Sequence, residues 1–386
     1  MRKQAMLQSV SVGGFKAIVN AGPVPLTPFT VFIGNNGSGK SSIIEALQTY
    51  RAFVLDGIDA AMEPWLGLEH VRNKARPRSR KPDPLTGRLP EKPVTVRMKG
   101  IASGKQFDMS VAWNSSASER LLYVQDERFR YGKLSVRRDR NDELWDGGEL
   151  LGHTGPPSSA LATSPDLRDL RSFVERWQFI SLWPGSMGRP RSRTRSKSRS
   201  HLSEDGSNIA EYLGDIRKES LQAFDAIIEA MRYVLPYAQD LQTVGISNEV
   251  EESAYLQMAE ADFKVAGWML SSGTLRMLGM LAVLHDPTPP PLVVIEEIEN
   301  GLDPRTINLL IEEIKAANDE GIQVIATTHS PYLLDSVPLE SVVLVERVDG
   351  EPKFTRPADS EEVQRWAKEF TTGRLYTMSR LSGGRA

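Results

Sequence analysis

Cysteine is absent from this chain of 386 residues. Disulfides, zinc sites built on thiolates and a thiol nucleophile are therefore excluded. Long apolar runs are also missing, since none reaches the roughly 18 residues that a membrane-spanning helix needs. The N-terminal segment lacks the apolar core of a signal peptide. We therefore expect a soluble, cytoplasmic protein without membrane contact.

Neither sign of charge dominates, because 47 Lys and Arg residues stand against 50 Asp and Glu residues, for a net charge of −3. This balance excludes a protein that is basic over its whole surface, so any contact with nucleic acid must come from a local patch. An apolar content of 40% is ordinary for a globular protein. The length suits a core domain with a second lobe.

The order of the predicted elements indicates an α/β fold. Short strands, among them LQSVSV and FTVFIG, precede a glycine-rich loop and the helical pattern IIEALQTY. Apolar residues then recur at helical intervals from Asn208 to Val234, where Asn208 and Glu211 have the spacing of a capping box. Further on, the strands PLVVIEE, GIQVIATTHS and SVVLVER alternate with a helix predicted over about 304–318. Strands of continuous Val and Ile between helices predict a parallel sheet buried on both faces.

The loop GNNGSGKS matches the phosphate-binding pattern G-x-x-x-x-G-K-[ST] between a predicted strand and a predicted helix. Its glycines let backbone N–H groups surround a phosphate chain. Lys40 would neutralise charge on the outer phosphates, and the Ser41 hydroxyl would bind Mg²⁺. The alternative is a chance glycine-rich turn. The candidate ATP-binding residues here are Gly34, Asn35, Asn36, Gly37, Ser38, Gly39, Lys40, Ser41 and Ser42.

The stretch VVIEEIENGLDP places two carboxylates at the end of an apolar strand, where parallel sheets bind their ligands. Glu296 would hold Mg²⁺, and Glu297 would accept a proton from the attacking water. Asp303 follows in a tight loop, and His329 ends the next strand. The candidate catalytic residues are Lys40, Glu297 and His329. Taken alone, the two glutamates also suit a solvated strand end, and the histidine a structural role.

Two stretches compete for the role of an ABC-type signature, LSSGTLR from Leu270 and LSGG from Leu381. The order P-loop, Leu-Ser-x-Gly, carboxylate strand, Leu-Asp and His resembles the ABC-type ATPases, in which the signature precedes the carboxylate strand. LSSGTLR obeys this order, whereas the terminal LSGG falls in what we expect to be a flexible tail. In ABC ATPases, ATP lies between the P-loop of one subunit and the signature of another. The resemblance therefore implies that Ser271, Gly273 and Asp303 contact ATP in trans, in a dimer that forms on ATP.

The spacing between the P-loop and the signature indicates which branch of the ABC-type ATPases the chain resembles. Lys40 and Ser271 are 231 residues apart. Transporter ATPases are more compact here, and SMC proteins insert long coiled coils. The motifs GNNGSGKSS, SSGTLR, EEIENGLDP and THSPYLLD resemble RecF/SMC-like bacterial AAA-family ATPases related to OLD (overcoming lysogenization defect) nucleases. Ser272, Ile298 and Asp303 depart from that group, which usually has Asp, Pro and His there. The candidate for the glutamine that senses the γ-phosphate is Gln178, in RWQFISLW.

The resemblance implies an ATPase that uses ATP and Mg²⁺, dimerises on ATP and gates a partner or a nucleic-acid-dependent event, with anti-phage defence favoured. The 57 residues after His329 are too few for the Toprim nuclease domain of OLD proteins, so a nuclease or toxin would be a separate polypeptide. The alternatives are a RecF-like DNA repair ATPase, a transporter-energising subunit, and a scaffold in which ATP is structural.

The predicted fold is α/β: an ABC-type P-loop ATPase core whose parallel sheet is flanked by helices, with an N-terminal antiparallel β part and an inserted helical or irregular lobe. The predicted segments are 1–51, the N-terminal part of the core with the P-loop; 52–206, a β-rich or irregular insertion with basic loops; 207–269, a helical lobe; 270–347, the C-terminal part of the core; and 348–386, a C-terminal helix and tail.

Two basic segments, 72–82 and 189–200, contain no acidic residue. Such a composition suits a solvated loop. It equally suits a contact to nucleic-acid phosphates, which would be independent of sequence. The residues proposed for that contact are Arg189, Arg191, Arg193, Arg195, Lys197 and Arg199.

Overall fold

The computed structural model of the chain describes residues 5–75, 91–116, 121–141, 143–146, 149–153, 158–192, 201–247, 252–260 and 262–383. The strands are β1 (Met6–Phe15), β2 (Ile18–Pro25), β3 (Phe29–Ile33), β4 (Val94–Ala102), β5 (Lys105–Ser116), β6 (Leu121–Tyr131), β7 (Leu134–Arg138), β8 (Glu143–Asp146), β9 (Glu149–His153), β10 (Gln178–Ile180), β11 (Arg191–Ser192), β12 (Asp240–Ser247), β13 (Glu252–Ala259), β14 (Lys264–Ala266), β15 (Leu292–Ile295), β16 (Gln323–Thr328), β17 (Val342–Val348) and β18 (Glu351–Thr355).

The α-helices are α1 (Lys40–Met62), α2 (Leu68–Val71), α3 (Ala160–Thr163), α4 (Arg168–Glu175), α5 (Pro184–Met187), α6 (Ile209–Glu219), α7 (Leu221–Val234), α8 (Ser272–Leu284), α9 (Pro304–Asp319), α10 (Pro331–Asp335), α11 (Glu361–Trp366) and α12 (Thr372–Thr377). Short 3-10 helices cover Glu63–Trp65, Pro165–Leu167, Gly267–Met269, Leu339–Ser341 and Pro357–Asp359.

The chain forms two compact units. The first contains Met1–Trp177 and Val343–Ser360, and the second contains Gln178–Val342 and Glu361–Ala386. In the described part of the chain, no helix is both long enough and apolar enough to cross a membrane.

The first unit is built on an antiparallel sheet with the strand order β2-β1-β4-β5-β6-β7-β8-β9 among the described residues. Buried and more exposed positions alternate along β4, as expected for a sheet with one face on the core. Helix α1 contributes Tyr50 and Phe53 to that core, and the Phe53 ring meets the Trp113 ring edge-on, with the centroids 5.6 Å apart. The predicted N-terminal antiparallel β part is thereby confirmed.

The same unit contains β3, all of whose residues are buried, beside β17, which pairs with β18 as an antiparallel hairpin. Phe32 of β3 contacts Phe354 of β18 through an edge-on ring pair with centroids 6.3 Å apart. The chain leaves β3 through the glycine-rich loop and enters α1 directly, as the sequence predicted.

The second unit contains the parallel strands β10, β15 and β16 in that order. Strands β15 and β16 are buried along their whole length, which agrees with their runs of Val and Ile. Helices α8 and α9 pack against each other, and α9 also contacts β16. The fold is therefore α/β, with a parallel sheet accompanied by helices.

The helical pattern after Asn208 is divided between α6 and α7 at Ser220, whose hydroxyl accepts a hydrogen bond from the Ala223 N–H and so caps α7. The capping box expected for Asn208 and Glu211 is wrong. The Asn208 side chain instead accepts hydrogen bonds from the backbone N–H and hydroxyl of Ser203, because the turn before the helix supplies closer donors.

A buried ion pair joins β6 and β7 to the start of α3. Both Glu127 and Arg138 are fully buried, with 3.8 Å between Oε2 and Nη1. The Glu127 carboxylate accepts hydrogen bonds from the Ser159 hydroxyl at 2.5 Å and from the Ala160 N–H at 2.8 Å. Burial nevertheless raises the pKa of Glu127 from 4.5 to about 7.

Because this pKa is higher in the folded chain than in the unfolded chain, Glu127 contributes stability that is complete below pH 4.5 and is lost as the pH rises through about 7. The loss amounts to roughly 3 kcal/mol at 1.36 kcal/mol for each pKa unit. Glu127→Gln should remove this pH dependence from the free energy of unfolding, measured by urea denaturation across that range. Glu63→Gln, at an exposed position, is the control and should leave the dependence intact. An equally steep dependence in Glu127→Gln would contradict the assignment.

Candidate functional site

The glycine-rich loop lies against the hairpin of β17 and β18. A Cβ atom at Gly34 would lie 2.0 Å from the Val345 carbonyl oxygen, and one at Gly39 would lie 2.8 Å from Cγ of Pro352. Gly39 also has a φ of 110°, which side chains disfavour. Glycine is therefore required where this loop turns from β3 into α1.

The Lys40 side chain points into its own loop. Its Nζ donates hydrogen bonds to the carbonyl oxygens of Gly34 at 2.7 Å and Asn35 at 3.1 Å, and only 6% of the residue is exposed. The Ser38 hydroxyl is also buried, and its oxygen has no hydrogen-bond partner within the described ranges. Ser41 is exposed. A buried ammonium and an unsatisfied hydroxyl in one glycine loop fit a phosphate ligand.

Arg347, at the end of β17, contacts the same loop and was missed by the sequence reasoning. Its Nε donates to the Gly37 carbonyl oxygen at 2.9 Å, and its Nη1 donates to that of Gly350 at 2.8 Å. The guanidinium thus ties the middle of the loop to the hairpin turn. The only sequence signal was a cation at the end of SVVLVER.

In the second unit, the carboxylates follow β15. The strand ends at Ile295, two residues before the predicted end at Glu297. The Glu296 N–H donates to the Ile180 carbonyl oxygen at 3.3 Å, and the Glu297 N–H donates to the Thr327 hydroxyl at 2.8 Å. Glu297 has a φ of 47°, a strained value for a non-glycine residue of the kind that persists where function requires it.

Glu299 is a second residue that the sequence reasoning missed. Its Oε1 accepts a hydrogen bond from the His329 backbone N–H at 2.6 Å. This bond joins the acidic segment 296–299, which we call the carboxylate segment, to the end of β16. It holds the half-buried His329 beside that segment. The signal in the sequence was a third acidic residue within EEIEN.

Asp303 is the N-cap of α9. Its carboxylate accepts hydrogen bonds from the N–H groups of Arg305 at 2.9 Å and Thr306 at 3.2 Å, and from the Thr306 hydroxyl at 2.5 Å. The Thr306 hydroxyl is the main reason that the pKa of Asp303 lies below its ordinary value. The carboxylate is therefore ionised and already committed to its own helix.

The stretch LSSGT begins α8, as expected. Ser271 is the N-cap, and its hydroxyl accepts a hydrogen bond from the Thr274 N–H at 3.1 Å. A Cβ atom at Gly273 would lie 2.6 Å from the Gly301 carbonyl oxygen, so the start of α8 and the NGLD loop pack backbone to backbone. Ser271 itself is exposed. The structure thus brings Ser271 and Gly273 close to the loop that leads into Asp303.

The remaining predicted residues lie elsewhere. Gln178 is 7% exposed, and its side-chain amide donates to the Leu202 carbonyl oxygen, which gives it a structural role. The terminal LSGG is not a loose tail at its start, because Leu381 is 2% exposed and packs into the second unit. The expectation of a flexible tail is wrong there, and Gly384 lies outside the described residues.

The two basic segments are only partly described. Arg189 and Arg191 are exposed, and Arg191 donates a hydrogen bond to the Ser207 hydroxyl. The other proposed nucleic-acid contacts lie outside the described residues, namely Arg193, Arg195, Lys197 and Arg199, as do residues 76–82 of the first segment.

Comparison with known proteins identifies the family. The model of the family described as "AAA domain, putative AbiEii toxin, Type IV TA system" matches residues 29–335. No curated protein matches the chain. Because the family match extends over more than half of the chain, the chain belongs to this AAA family.

Among solved structures, the chain is similar to an SMC head bound to the C-winged helix domain of ScpA, with 15% identity, a TM-score of 0.50, and coverage of 90% of this chain and 96% of the other. An SMC head from Pyrococcus furiosus, bound to the C-terminal domain of ScpA, has 13% identity and a TM-score of 0.50, with 95% and 99% covered. The SMC head from Thermotoga maritima has 13% identity and a TM-score of 0.44, with 91% and 98% covered. The fold is that of an SMC-like, ABC-type ATPase head.

The cap at Asp303 makes a direct prediction about stability. Asp303→Ala should lower the free energy of unfolding by about 1 kcal/mol, because two N–H groups of α9 lose their acceptor, whereas Asp303→Ser should lose less because its hydroxyl caps as well. Urea denaturation measures both. Asp319→Ala, at the other end of α9, is the control and should cost nothing, since an acidic residue there is unfavourable to the helix dipole. A fully stable Asp303→Ala protein would show that the cap is dispensable.

Proposed function

We propose that this member of the AAA family binds ATP in the loop from Gly34 to Ser42 and hydrolyses it. The observation that carries the proposal is the buried Lys40 ammonium, held 2.7 Å from the Gly34 carbonyl oxygen within its own loop. An ammonium in that position is available to a phosphate, and a phosphate offers it a stronger, charge-assisted bond than a carbonyl does. The buried Ser38 hydroxyl supports the same reading.

The proposed roles in hydrolysis follow from the chemistry of the side chains. The loop N–H groups and Lys40 bind and orient the phosphates. Ser41 and Glu296 would hold Mg²⁺, which offsets phosphate charge when it is bound. Glu297 accepts the proton of the attacking water, and His329 contacts the same end of the nucleotide. Glu299 positions the His329 backbone.

We further propose that two copies of the chain close on ATP. The exposed Ser271 lies at the N-terminus of α8, a helix of 13 residues whose positive end suits a phosphate across an interface. Gly273 and Asp303 would complete this half of the site, with the charge of Asp303 acting alongside its capping role. The resemblance to ABC-type ATPases supports the arrangement.

The biological setting that we propose is cytoplasmic anti-phage defence, with a separate nuclease or toxin as the effector. The family description names a toxin of a toxin–antitoxin system, which favours this setting. The similar SMC heads are bound to ScpA domains, which favours a separate partner polypeptide. RecF-like DNA repair is the second candidate, favoured by the basic segment that contains the exposed Arg189 and Arg191. A transporter-energising role has less support.

The proposed general base is tested by Glu297→Gln, which should bind ATP normally but hydrolyse it at least about a hundredfold more slowly. Lys40→Ala should lose binding itself. Nucleotide affinity is measured with a fluorescent ATP analogue, and turnover is measured by phosphate release. Glu320→Gln, at an exposed glutamate after α9, is the control and should keep full turnover. Unchanged hydrolysis by Glu297→Gln would remove Glu297 from this role.

The shared site is tested by Ser271→Arg. Each subunit of this variant should bind ATP yet fail to dimerise on ATP, because the bulky arginine side chain blocks the interface. Mixing Ser271→Arg with Lys40→Ala subunits should restore part of the activity, since such a heterodimer holds one intact site. Light scattering and turnover measure the two effects. Ser382→Arg, in the rival LSGG, is the control and should dimerise normally. Full activity of Ser271→Arg as a monomer would contradict the shared site.

A further inference from the structure

The solvent face of the antiparallel sheet in the first unit bears a set of cations that the proposed ATPase does not use. Five of them, Arg97, Lys99, Arg128, Arg130 and Arg137, define what we call the cationic sheet face. All five are exposed, and the ones in ion pairs expose more than half of their side chains. Two carboxylates on the same face, Asp108 and Asp126, are less exposed, with 21% and 22% of their side chains accessible. The face therefore has an excess of three positive charges.

The strand register places these cations in two rows. In the first row, Arg97 of β4, Ser110 of β5, Arg128 of β6 and Arg137 of β7 lie side by side. In the second row, Lys99, Asp108, Arg130 and Ser135 do the same. The rows are about 6.8 Å apart along the strands, and β4 and β7 are roughly 14 Å apart across them.

The carboxylates hold the guanidinium groups in place. Asp108 accepts hydrogen bonds from Nε and Nη2 of Arg97 at 2.8 and 2.5 Å. Asp126 accepts from Nε of Arg128 at 2.6 Å and from Nε of Arg137 at 2.9 Å. Arg128 and Arg137 lie directly opposite each other, and the one carboxylate of Asp126 that they share offsets part of their mutual repulsion. A bound anion would offset the rest.

A trough of about 420 Å³ runs over this face between β2 and β6. Its lining includes Arg97, Arg128 and Arg130, the carboxylates of Asp108 and Asp126, and the small polar side chains of Ser11, Asn20, Thr95 and Ser110. Among the described residues that line it there is no aromatic side chain. Unpaired bases need aromatic surfaces on which to stack, whereas a phosphate backbone needs cations and small hydrogen-bond donors.

We propose that the cationic sheet face binds the sugar–phosphate backbone of double-stranded DNA without reading its sequence. The separation of about 14 Å between β4 and β7 is close to the ~12 Å width of the major groove, so that the two edges of the face reach phosphates on both strands. The cations supply the charge that releases counterions from the duplex. The proposal concerns residues of the first unit alone and does not depend on nucleotide chemistry.

The test combines three substitutions, Arg128→Gln, Arg130→Gln and Arg137→Gln, in the full chain. Binding to labelled duplexes of two unrelated sequences is followed by fluorescence anisotropy at several salt concentrations, without nucleotide. The triple variant should bind at least about tenfold more weakly, and the slope of log affinity against log salt should fall by about 2 to 3 units, since each phosphate contact contributes about 0.9. ATP turnover should not change. Equal affinity and slope for the triple variant and the wild type would overturn the proposal, as would a wild type that does not bind DNA.

Two further variants keep this test decisive. Replacing the same three arginines by lysine retains the charge and should keep the affinity within about threefold, because a phosphate accepts either cation; a loss as large as that of the glutamine variant would overturn the charge argument. The matched control, Lys218→Gln with Lys315→Gln and Lys368→Gln, removes three exposed cations elsewhere and should bind DNA like the wild type. Thermal unfolding verifies that each variant is folded.

Two competing ligands decide the partner. An RNA duplex of the same sequences should bind more weakly, because the major groove of A-form RNA is deep and narrow. Tighter or equal binding of RNA would overturn the assignment to DNA. Polyglutamate, as a probe for an acidic protein, should not compete with DNA, and efficient competition would overturn the assignment to nucleic acid.

Discussion

The glycine-rich loop after β3 depends on a backbone-to-backbone contact that leaves no room for side chains. At Gly34 the loop lies so close to the Val345 carbonyl that a single added carbon would collide with it. Arg347 and Pro352 of the same hairpin hold the loop farther along. The hairpin thus fixes the loop on one side. The Lys40 ammonium lies within the loop, where it donates a hydrogen bond to the Gly34 carbonyl oxygen. The hairpin follows the loop by about three hundred residues, yet the two lie in one compact unit.

In the second unit, candidate residues are held by side-chain hydrogen bonds at the N-termini of two helices. Ser271 caps α8, Asp303 caps α9, and the backbone of α8 at Gly273 packs closely against the loop before α9 at Gly301. Glu299 then joins the carboxylate segment to the His329 backbone. Ser271, Asp303 and the His329 backbone are therefore each held by local hydrogen bonds. Such bonds hold groups in place before a ligand arrives, which is what catalysis by positioning requires.

Several features could be predicted from the chain because they depend on local chemistry. The strand, loop and helix around Lys40, the cap at Ser271 and the buried strands after Leu292 all follow from residue types at fixed spacing. Other features could not. Asn208 has the spacing of a capping box, but its side chain bonds to Ser203, because competing donors from a preceding turn are visible only in three dimensions. The buried Leu381 shows the same limit for a segment that resembles a tail.

The sequence by itself determined the α/β class, the position of the glycine-rich loop between a strand and a helix, and the order of motifs that indicates an ABC-type ATPase, because each motif is a short local pattern. Only the tertiary structure decided that Arg347 supports the loop, that Glu299 bonds to the His329 backbone, and that five cations share one sheet face. Arg97, Arg128 and Arg137 come from three strands, and nothing in their spacing along the chain reveals their common row. Strand register placed them together, and register is set by side-chain packing on the opposite face of the sheet.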